Sequence, residues 1–398
     1  MKNNTYQINP ETARSLSLQH PWIYRKHISK DVQWKDGSIV SLYFQNVLYG
    51  TAVYSQKGMI ALRVFAYRKQ KLQASYLRQK VSQAVAKRLS LLTQTNSIRW
   101  IHGENDSLPG ITIDTHNNLM VLMVYTPALV CLGRYLAQVL RQKLKAEKIR
   151  TKYILLKAPR RMGENSLAKN QRMLRGKEHI GLVEIKYQGQ NYLIDPHTGK
   201  GGTYNDIRNL RNYILENTEL FQGKRCLNLF SNNGILAHCL VRAGAEKVYS
   251  LEDSSKSIAV HKRNIEEQQC KKQIVLKKNI FRELGESLEE MQDTFGVAVI
   301  DPPNLTASQR DKAKARKIYA SLISQVIPSL QEESVVILCS CSSRIHEKDF
   351  LRICVNTWKE HGIKYKLLRQ LQPEIDHPTK DSFPEGKYFK VHIYRIQK

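Results

Sequence analysis

Val299-Ile300-Asp301-Pro302-Pro303-Asn304 and, further along, Val336-Ile337-Leu338-Cys339-Ser340-Cys341-Ser342 decide how this chain is read. Each is an apolar, largely β-branched run that ends abruptly in chemically capable polar residues, as strands of an open α/β sheet do at their ligand-binding edge. Neighbouring strand ends of this kind place an acid, Asp301, and a thiol in one crevice. Cys339 is flanked by Val336, Ile337 and Leu338 and is expected in the core, whereas Cys341 stands nearer the strand end and is the candidate nucleophile. Pro302 and Pro303 fix the backbone after the strand and hold Asp301 at the rim. Carbon 5 of a pyrimidine accepts a methyl group once a thiolate has added to carbon 6 and an acid supports the charge on ring nitrogen 3, so an acid and a thiol together suit that reaction. An acid-Pro-Pro loop also suits methylation of a nitrogen, usually with an aromatic residue next to stack on the base; here Asn304 and Leu305 follow.

Upstream, from Lys224, the pattern repeats as strand, turn and helix. Residues 226–230 form a strand, 231–234 a turn and 235–243 a helix; a strand over 247–251 ends at Glu252-Asp253, and further strands cover 275–277 and 297–300. This βαβα order predicts a parallel sheet with helices on both faces. The turn Ser231-Asn232-Asn233-Gly234 supplies the small or φ-tolerant residues that let a backbone approach a ligand. Glu252, ending the second strand, is placed to accept from ribose hydroxyls, with Asp253 as the rival. Asn279, after the next strand, reads equally as a contact to an adenine edge and as the N-cap of a helix that begins near Phe281-Arg282-Glu283.

The N-terminal 70 residues alternate like strands, over 38–44, 47–54 and 59–65, punctuated by Gly37, Gly50 and Gly58. A helix over 72–92 with Leu77, Val81, Val85 and Leu89 on one face opens a second, α+β section with strands at 110–114, 119–125 and 153–156 and a helix over 129–147. The 398 residues therefore divide as a β-rich module (1–70), an α+β middle domain (71–190) and an α/β domain (191–398). With 63 Lys and Arg against 35 Asp and Glu the formal charge is +28, which favours a polyanionic partner, nucleic acid before an anionic membrane. The cations Arg310, Lys312, Lys314, Arg316 and Lys317 crowd one segment after the acid loop and are candidates for gripping phosphates; Lys157, Arg160, Arg161, Lys169, Arg172, Arg175 and Lys177 are candidates to continue the track. Seven scattered cysteines without paired Cys-x-x-Cys sets suggest neither disulfides nor a metal site and fit a reducing cytoplasm. No secretory leader and no apolar run of spanning length is read, so no membrane is expected.

The chain resembles the bacterial large-subunit rRNA cytosine-5 methyltransferases that carry an N-terminal PUA domain ahead of a Rossmann-like class I S-adenosylmethionine-dependent methyltransferase domain. The resemblance runs nearly end to end. It rests on His20-Pro21-Trp22, on residues 104–114 (Glu-Asn-Asp-Ser-Leu-Pro-Gly-Ile-Thr-Ile-Asp) and on Lys200-Gly201-Gly202-Thr203-Tyr204-Asn205-Asp206-Ile207-Arg208. It continues through Asp301-Pro302-Pro303, Ser340-Cys341-Ser342, Asp376-His377-Pro378 and Pro384-Glu385-Gly386.

The resemblance implies S-adenosyl-L-methionine as cofactor, with Phe230, Ser231, Asn233 and Gly234 at the cofactor turn, Glu252 at the ribose and Asn279 near adenine. It places Tyr204, Asp206, Arg208 and Asp301 beside the cofactor, makes Cys341 and Asp301 catalytic, and puts Pro302, Pro303 and Asn304 on the substrate side. Ile235, Asn279 and Asn304 depart from the family's usual Gly, Asp and Lys. The expected function is RNA methylation to 5-methylcytosine in large-subunit rRNA through a cysteine adduct. Nitrogen methylation by the same fold and a non-catalytic ribosome-assembly factor are the alternatives. The oligomeric state is left open, a homodimer being one option.

Overall fold

The computed structural model describes residues 4–68, 70–158, 171–176, 179–306 and 311–398. Two compact units form. One comprises Met1–Asn191, Asp195–Asn205 and Ile375–Gly386, the other Tyr192–Ile194, Asp206–Glu374 and Lys387–Lys398.

In the first unit, β1 (Asn4–Gln7), β2 (Trp22–Tyr24), β3 (Ile39–Phe44), β4 (Val47–Tyr54) and β5 (Ile60–Tyr67) make a sheet ordered β1-β3-β4-β5-β2, with α1 (Pro10–Ser17) after the first strand. The alternation in β3 and β5 buries Val40, Leu42, Leu62 and Val64 in one small core with Leu16. A second sheet is ordered β10-β9-β8-β7-β6, from β6 (Ser97–His102), β7 (Ile111–His116), β8 (Leu119–Val124), β9 (Tyr153–Lys157) and β10 (Gln171–Arg175). Helices α2 (Ala74–Ala86) and α3 (Val130–Ala146) lay Leu77, Val81, Leu136 and Leu140 on its apolar face, against Trp100, Ile113 and Leu122. The short strands β11 (Val183–Tyr187) and β12 (Gln190–Ile194) follow, with Tyr192–Ile194 of β12 counted in the second unit.

The helix expected over 72–92 stops early, and residues 89–93 form a separate 3₁₀ turn. Arg88, just beyond the helix, points inward. It is wholly buried, donates to the Ala84 carbonyl at 2.8 Å and pairs with Asp106 at 2.6 Å.

The other face of the second sheet is polar and still buried. Ser97 stands opposite His116 and Arg99 opposite Asp114. Arg99 grips Asp114 with two hydrogen bonds of 2.7 and 3.0 Å. Backbone and side chains of this face then fasten distant segments. Ser97 Oγ donates to Asn205, Lys157 Nζ donates to the Thr198 carbonyl at 2.7 Å, and the Arg99 amide donates to Asp376 at 3.0 Å. β6 was not expected from the sequence: it buries Ser97, Arg99 and His102 as well as Ile98, Trp100 and Ile101, and its polar residues read as exposed until their partners are in place.

The second unit is a seven-stranded sheet, ordered β15-β14-β13-β16-β17-β19-β18. Its strands are β13 (Arg225–Leu229), β14 (Lys247–Glu252), β15 (Gln273–Lys277), β16 (Phe295–Ile300), β17 (Leu330–Ser340), β18 (Lys364–Leu371) and β19 (Lys390–Gln397). The first five run parallel, and β19 is antiparallel to both its neighbours. Six helices accompany them: α4 (Arg208–Glu216), α5 (Ile235–Arg242), α6 (Ser255–Glu267), α7 (Ile280–Met291), α8 (Lys312–Val326) and α9 (Glu347–Glu360). Helices α7, α8 and α9 share one core with Leu227, Leu229, Ile300 and Leu338, while α5 and α6 pack on β14 and β15. The strand order turns back at β13, so the C-terminal ends of β13 and β16 bound the crevice where doubly wound sheets hold their ligands.

The Arg88–Asp106 pair yields the first test. Asp106→Asn leaves a buried guanidinium without its counter-ion and is expected to lower the unfolding free energy by about 3–5 kcal/mol. The double variant Arg88→Met with Asp106→Asn should recover most of that loss, and urea denaturation of the variants measures both.

Candidate active site

At the end of β13 the chain is shaped by alternating left-handed residues: Phe230 (φ 60°), Asn232 (φ 51°) and Gly234 (φ 80°). This turn is held from several sides. The Ser231 amide donates to the Leu251 carbonyl at 3.2 Å, the Asn232 amide to Glu252 at 2.9 Å, and Asn264 Nδ2 to the Asn233 carbonyl at 2.9 Å. Gly234 opens α5 with its Cα against His261, and a Cβ there would lie 2.0 Å from the imidazole. His261 is anchored by Gln273 at 2.8 Å, and burial pushes its pKa down to about 4. His261 and Asn264 were not singled out in the sequence, and Asn232 only as a member of the turn, because their work is done through backbone and packing contacts.

Glu252 has more than one task. Its carboxylate accepts from Asn232, Asp253 and Ser254 amides at 2.9–3.0 Å, which closes the ends of β13 and β14 together. A carboxylate offers about four lone pairs, so one acceptor site remains for a ligand hydroxyl. Asp253 is exposed. Asn279 is the N-cap residue of α7, yet its side chain makes no cap hydrogen bond; Glu283 instead accepts from the Asn279 amide at 3.2 Å. The side-chain amide is thus left over from capping. Beside it, Phe281 is exposed and packs on Phe230 at 5.1 Å between ring centres, a surface aromatic that sequence reading passed over.

At the ends of β16 and β17 the acid loop and the cysteine turn interlock. Cys341 is partly exposed and its Sγ lies 3.8 Å from the Pro302 carbonyl, whereas Cys339 is buried and its thiol pKa is pushed well up, mainly by burial. Ser342 Oγ accepts from the Leu305 amide at 3.2 Å and donates to Asn304 Oδ1 at 3.1 Å. Asn304 Oδ1 also accepts from the Thr306 amide and hydroxyl at 3.0 and 3.1 Å. Tyr319 from α8 closes the network: its hydroxyl donates to Ser340 Oγ at 2.9 Å and lies 3.3 Å from Ser342 Oγ, which can share that one proton. Pro302 is buried in this lock and Pro303 is exposed, and Asp301 is half-buried at the strand end.

Asp206 and Arg208 lie in the same unit as the crevice, Asp206 accepting from Tyr388 at 3.1 Å and Arg208 lying 3.8 Å from Glu374. Tyr204 belongs to the first unit, with φ 48°. Among the basic candidates, Lys312 and Arg316 on α8 reach Asp349 of α9 at 2.8 and 2.7 Å, and Arg352 shares the same carboxylate. These cations hold Asp349 below the usual carboxylate range, the Lys312 hydrogen bond contributing most. Their observed role is in holding α8 to α9. Lys314 and Lys317 are exposed, and Arg310 lies outside the described residues. In the second basic region Lys157 is buried, bonded to Thr198, and pushed down by burial to about 8, so it faces no outside phosphate. Arg172 and Arg175 are on β10, and Arg160, Arg161, Lys169 and Lys177 lie outside the described residues. No cluster of His, Cys, Asp and Glu that could hold a metal, and no helix long and apolar enough to cross a membrane, occurs among the described residues.

Residues 7–67 match the PUA-like domain family and residues 188–357 the family described as Conserved hypothetical protein 95. A Ribosomal RNA large subunit methyltransferase I from Yersinia pseudotuberculosis is 26% identical over 397 residues, spanning 96% of this chain and 97% of that one. A methyltransferase solved with SAH superposes with a TM-score of 0.84 at 18% identity, covering 98% of this chain and 100% of the other. A SAM-dependent methyltransferase structure from Streptococcus mutans gives 0.81 at the same identity and coverage. The chain is thus similar to a PUA-like domain over residues 7–67 and shares the fold of these solved methyltransferases. The expected Rossmann-like architecture and β-rich N-terminal module are thereby borne out.

In this methyltransferase fold Gly234 is the least replaceable residue of the turn. Gly234→Ala combines a left-handed φ with a steric clash and is expected to cost about 2–4 kcal/mol of stability, read from the denaturation midpoint. The buried imidazoles give a pH test. His238 and His261 are both pushed down to about 4 by burial, from 6.5, so between those values the unfolded chain binds protons that the fold does not. Stability should be full above pH 6.5, decline by about 1.4 kcal/mol per pH unit for each such imidazole on acidification, and level off near pH 4. Urea midpoints across that range measure the slope, and His261→Gln should flatten it by one proton.

Proposed function

We propose that this protein methylates carbon 5 of cytosine in large-subunit ribosomal RNA, using S-adenosyl-L-methionine and acting in the cytoplasm. The observation that carries the reading is the partly exposed Cys341 thiol interlocked with the Asp301-Pro302-Pro303 loop at the ends of two adjacent strands. The Yersinia relative, with its large-subunit rRNA name, supports the substrate class.

The residues at the crevice suit the cofactor. The left-handed turn at 230–234 leaves space that a Cβ at Gly234 would fill, Glu252 keeps one acceptor for a ribose hydroxyl, and Asn279 with Phe281 offers an amide and a ring for adenine. When bound, S-adenosylmethionine supplies an electrophilic methyl on a sulfonium. Cys341 adds to carbon 6 of the base, and Asp301 supports the charge that develops at ring nitrogen 3. Asp206, Arg208 and Tyr204 are assigned to the cofactor side from the Lys200–Arg208 motif.

Asn304 takes a defined part. Its Oδ1 faces the Thr306 amide, which can only donate, so the side chain cannot flip and presents Nδ2 outward as a pure donor. A donor at this position suits an acceptor such as the cytosine O2 atom or a phosphate oxygen. It does not suit taking a proton from an exocyclic amine, which weighs against nitrogen methylation. Lys314 and Lys317 are proposed to meet RNA phosphates, with Lys312 and Arg316 adding charge from their place on Asp349. Pro302 and Pro303 hold the loop in place for the base.

The test is covalent trapping. RNA containing 5-fluorocytidine should accumulate as an adduct of the enzyme, because fluorine replaces the proton that must leave carbon 5 for the cysteine to be released. Cys341→Ala should abolish adduct and turnover while cofactor affinity, measured by calorimetry, stays within about twofold. Cys339→Ala should retain trapping and lose stability through packing. Methylation by Cys341→Ala at the wild-type rate would refute the cytosine-5 reading.

A further inference from the structure

We infer that Lys390 is a positioning residue for Cys341: its buried ammonium, fixed across the sheet beside the cysteine turn, supplies the positive charge that stabilises the thiolate. The inference rests on the reading of Cys341 as the nucleophile and adds how that sulfur is activated.

Lys390 opens β19 and stands opposite Ser340, the last residue of β17, so antiparallel pairing places it at the root of the cysteine turn. Its side chain is buried, at 2% exposure. Two of the three ammonium N–H groups donate to backbone carbonyls, of Ser342 at 2.8 Å and of Tyr388 at 2.7 Å. The lysine is thus bonded one residue beyond Cys341 and paired one residue before it. Its third N–H has no protein acceptor among the described residues. Nor does Lys390 form an ion pair there, and the carboxylate in its field, Glu347, is engaged with His392. A buried ammonium without a contacting carboxylate is costly, and such perturbed groups cluster at sites where a charge develops. The Cys341 sulfur supplies that charge when it ionises, and it lies within the electrostatic reach of Lys390. Burial pushes the lysine down to about 8, against the opposing pull of Glu347 and Cys341, which still leaves it an ammonium at pH 7.

Other groups face this turn from each neighbouring element. Asp301 at the end of β16 and Asp206 ahead of α4 are carboxylates in the field of this turn; the Cys339 thiol pKa is pushed up mainly by burial, with Asp301, Cys341 and Asp206 adding to the rise. Tyr319 on α8 is neutral and pushed up by burial, Glu347 reaches in from α9, and His392 and Tyr388 flank Lys390 on its own side. Lys390 is the cation among them that is fixed to the cysteine turn itself.

The test is the pH profile of Cys341 alkylation in the full chain, with Cys131→Ser as background because Cys131 is the exposed competitor. Iodoacetamide reports the thiolate directly: sulfur displaces iodide, leaving a carbamidomethyl thioether, and the thiol proton goes to solvent. Peptide mass spectrometry follows the Cys341 site. With Lys390 present the midpoint should fall at least one unit below the ordinary thiol value of about 8.5. Lys390→Met should return it to that value or higher and slow the reaction at pH 7 by at least tenfold, while Lys390→Arg should keep it low. A structural role alone would not move this midpoint, and near-UV circular dichroism checks that each variant is folded. If Lys390→Met does not fold, the background midpoint and Lys390→Arg decide. A background midpoint at or above about 8.5, or the same midpoint in a folded Lys390→Met protein, overturns the inference. Failure of the cytosine-5 reading looks different: Cys341→Ala would go on methylating RNA while the alkylation profile still depended on Lys390.

Discussion

The candidate site depends on one hydroxyl. Ser342 Oγ accepts from the Leu305 amide, donates to Asn304 and meets Tyr319, and so fixes the loop after β16 to the turn after β17 and both to α8. Parallel pairing holds neighbouring strands about 4.8 Å apart but says nothing of the chain beyond their ends. A thiol and a carboxylate on two such ends become a joint site when the loops themselves are tied. Here the tie uses neutral groups throughout, so it adds no charge to compete with the ionisation the chemistry requires. It also explains why Asn304 suits its place, since a lysine there has no oxygen to accept from Thr306 and Ser342.

The cofactor edge is built by a different means. Its geometry comes from backbone conformation, three residues with positive φ in a run of five, braced by Glu252 below and His261 behind. Glu252 thereby does double duty: the carboxylate offered to the ligand is the one that ties together the strand ends shaping the pocket. Stability and binding at this edge therefore report on one another. The sulfur edge is separable, since the lock around Ser342 involves none of the turn residues at 230–234.

What was legible in the sequence follows the same division. Apolar periodicity marked β4, β8, α3 and the strands at the crevice, because in those segments one face or both faces are buried by hydrocarbon. The Asp301 and Cys341 strand ends were legible because an apolar run stops there abruptly. Residues acting across long sequence separations were hidden. Lys390 was not singled out in the sequence, and its place beside the cysteine turn appears only with the antiparallel pairing of β19 and β17. Lys312 and Arg316 read as phosphate ligands until α9 brings Asp349 to them. Arg88 was not singled out within the helix expected over 72–92, and its burial on Asp106 shows only once residues 18 apart are brought together.

The polar face of the second sheet accounts for the scattered motifs that have no catalytic part. Asn205, Thr198 and Asp376 belong to segments that leave the sequence of the second unit and return to it, and each satisfies a buried group on that face: Ser97, Lys157 or the Arg99 amide. The chain changes unit after residues 191, 194, 205, 374 and 386, five crossings in all. A cut near residue 190 would therefore strip the first unit of the acceptors its interior requires, at about 1–3 kcal/mol for each uncharged group left unsatisfied and more for Lys157. The same reasoning explains why the stretch between β18 and β19 combines Asp376-His377-Pro378 with Phe383 and Glu385. Asp376 bonds the second sheet at Arg99, Phe383 packs edge-on against Trp22 at 4.7 Å, and Glu385 pairs with His20 at 3.3 Å. These contacts join the β-rich module and the middle sheet into one unit through a segment that neither contributes, so the resemblance along the chain is carried as much by assembly as by chemistry.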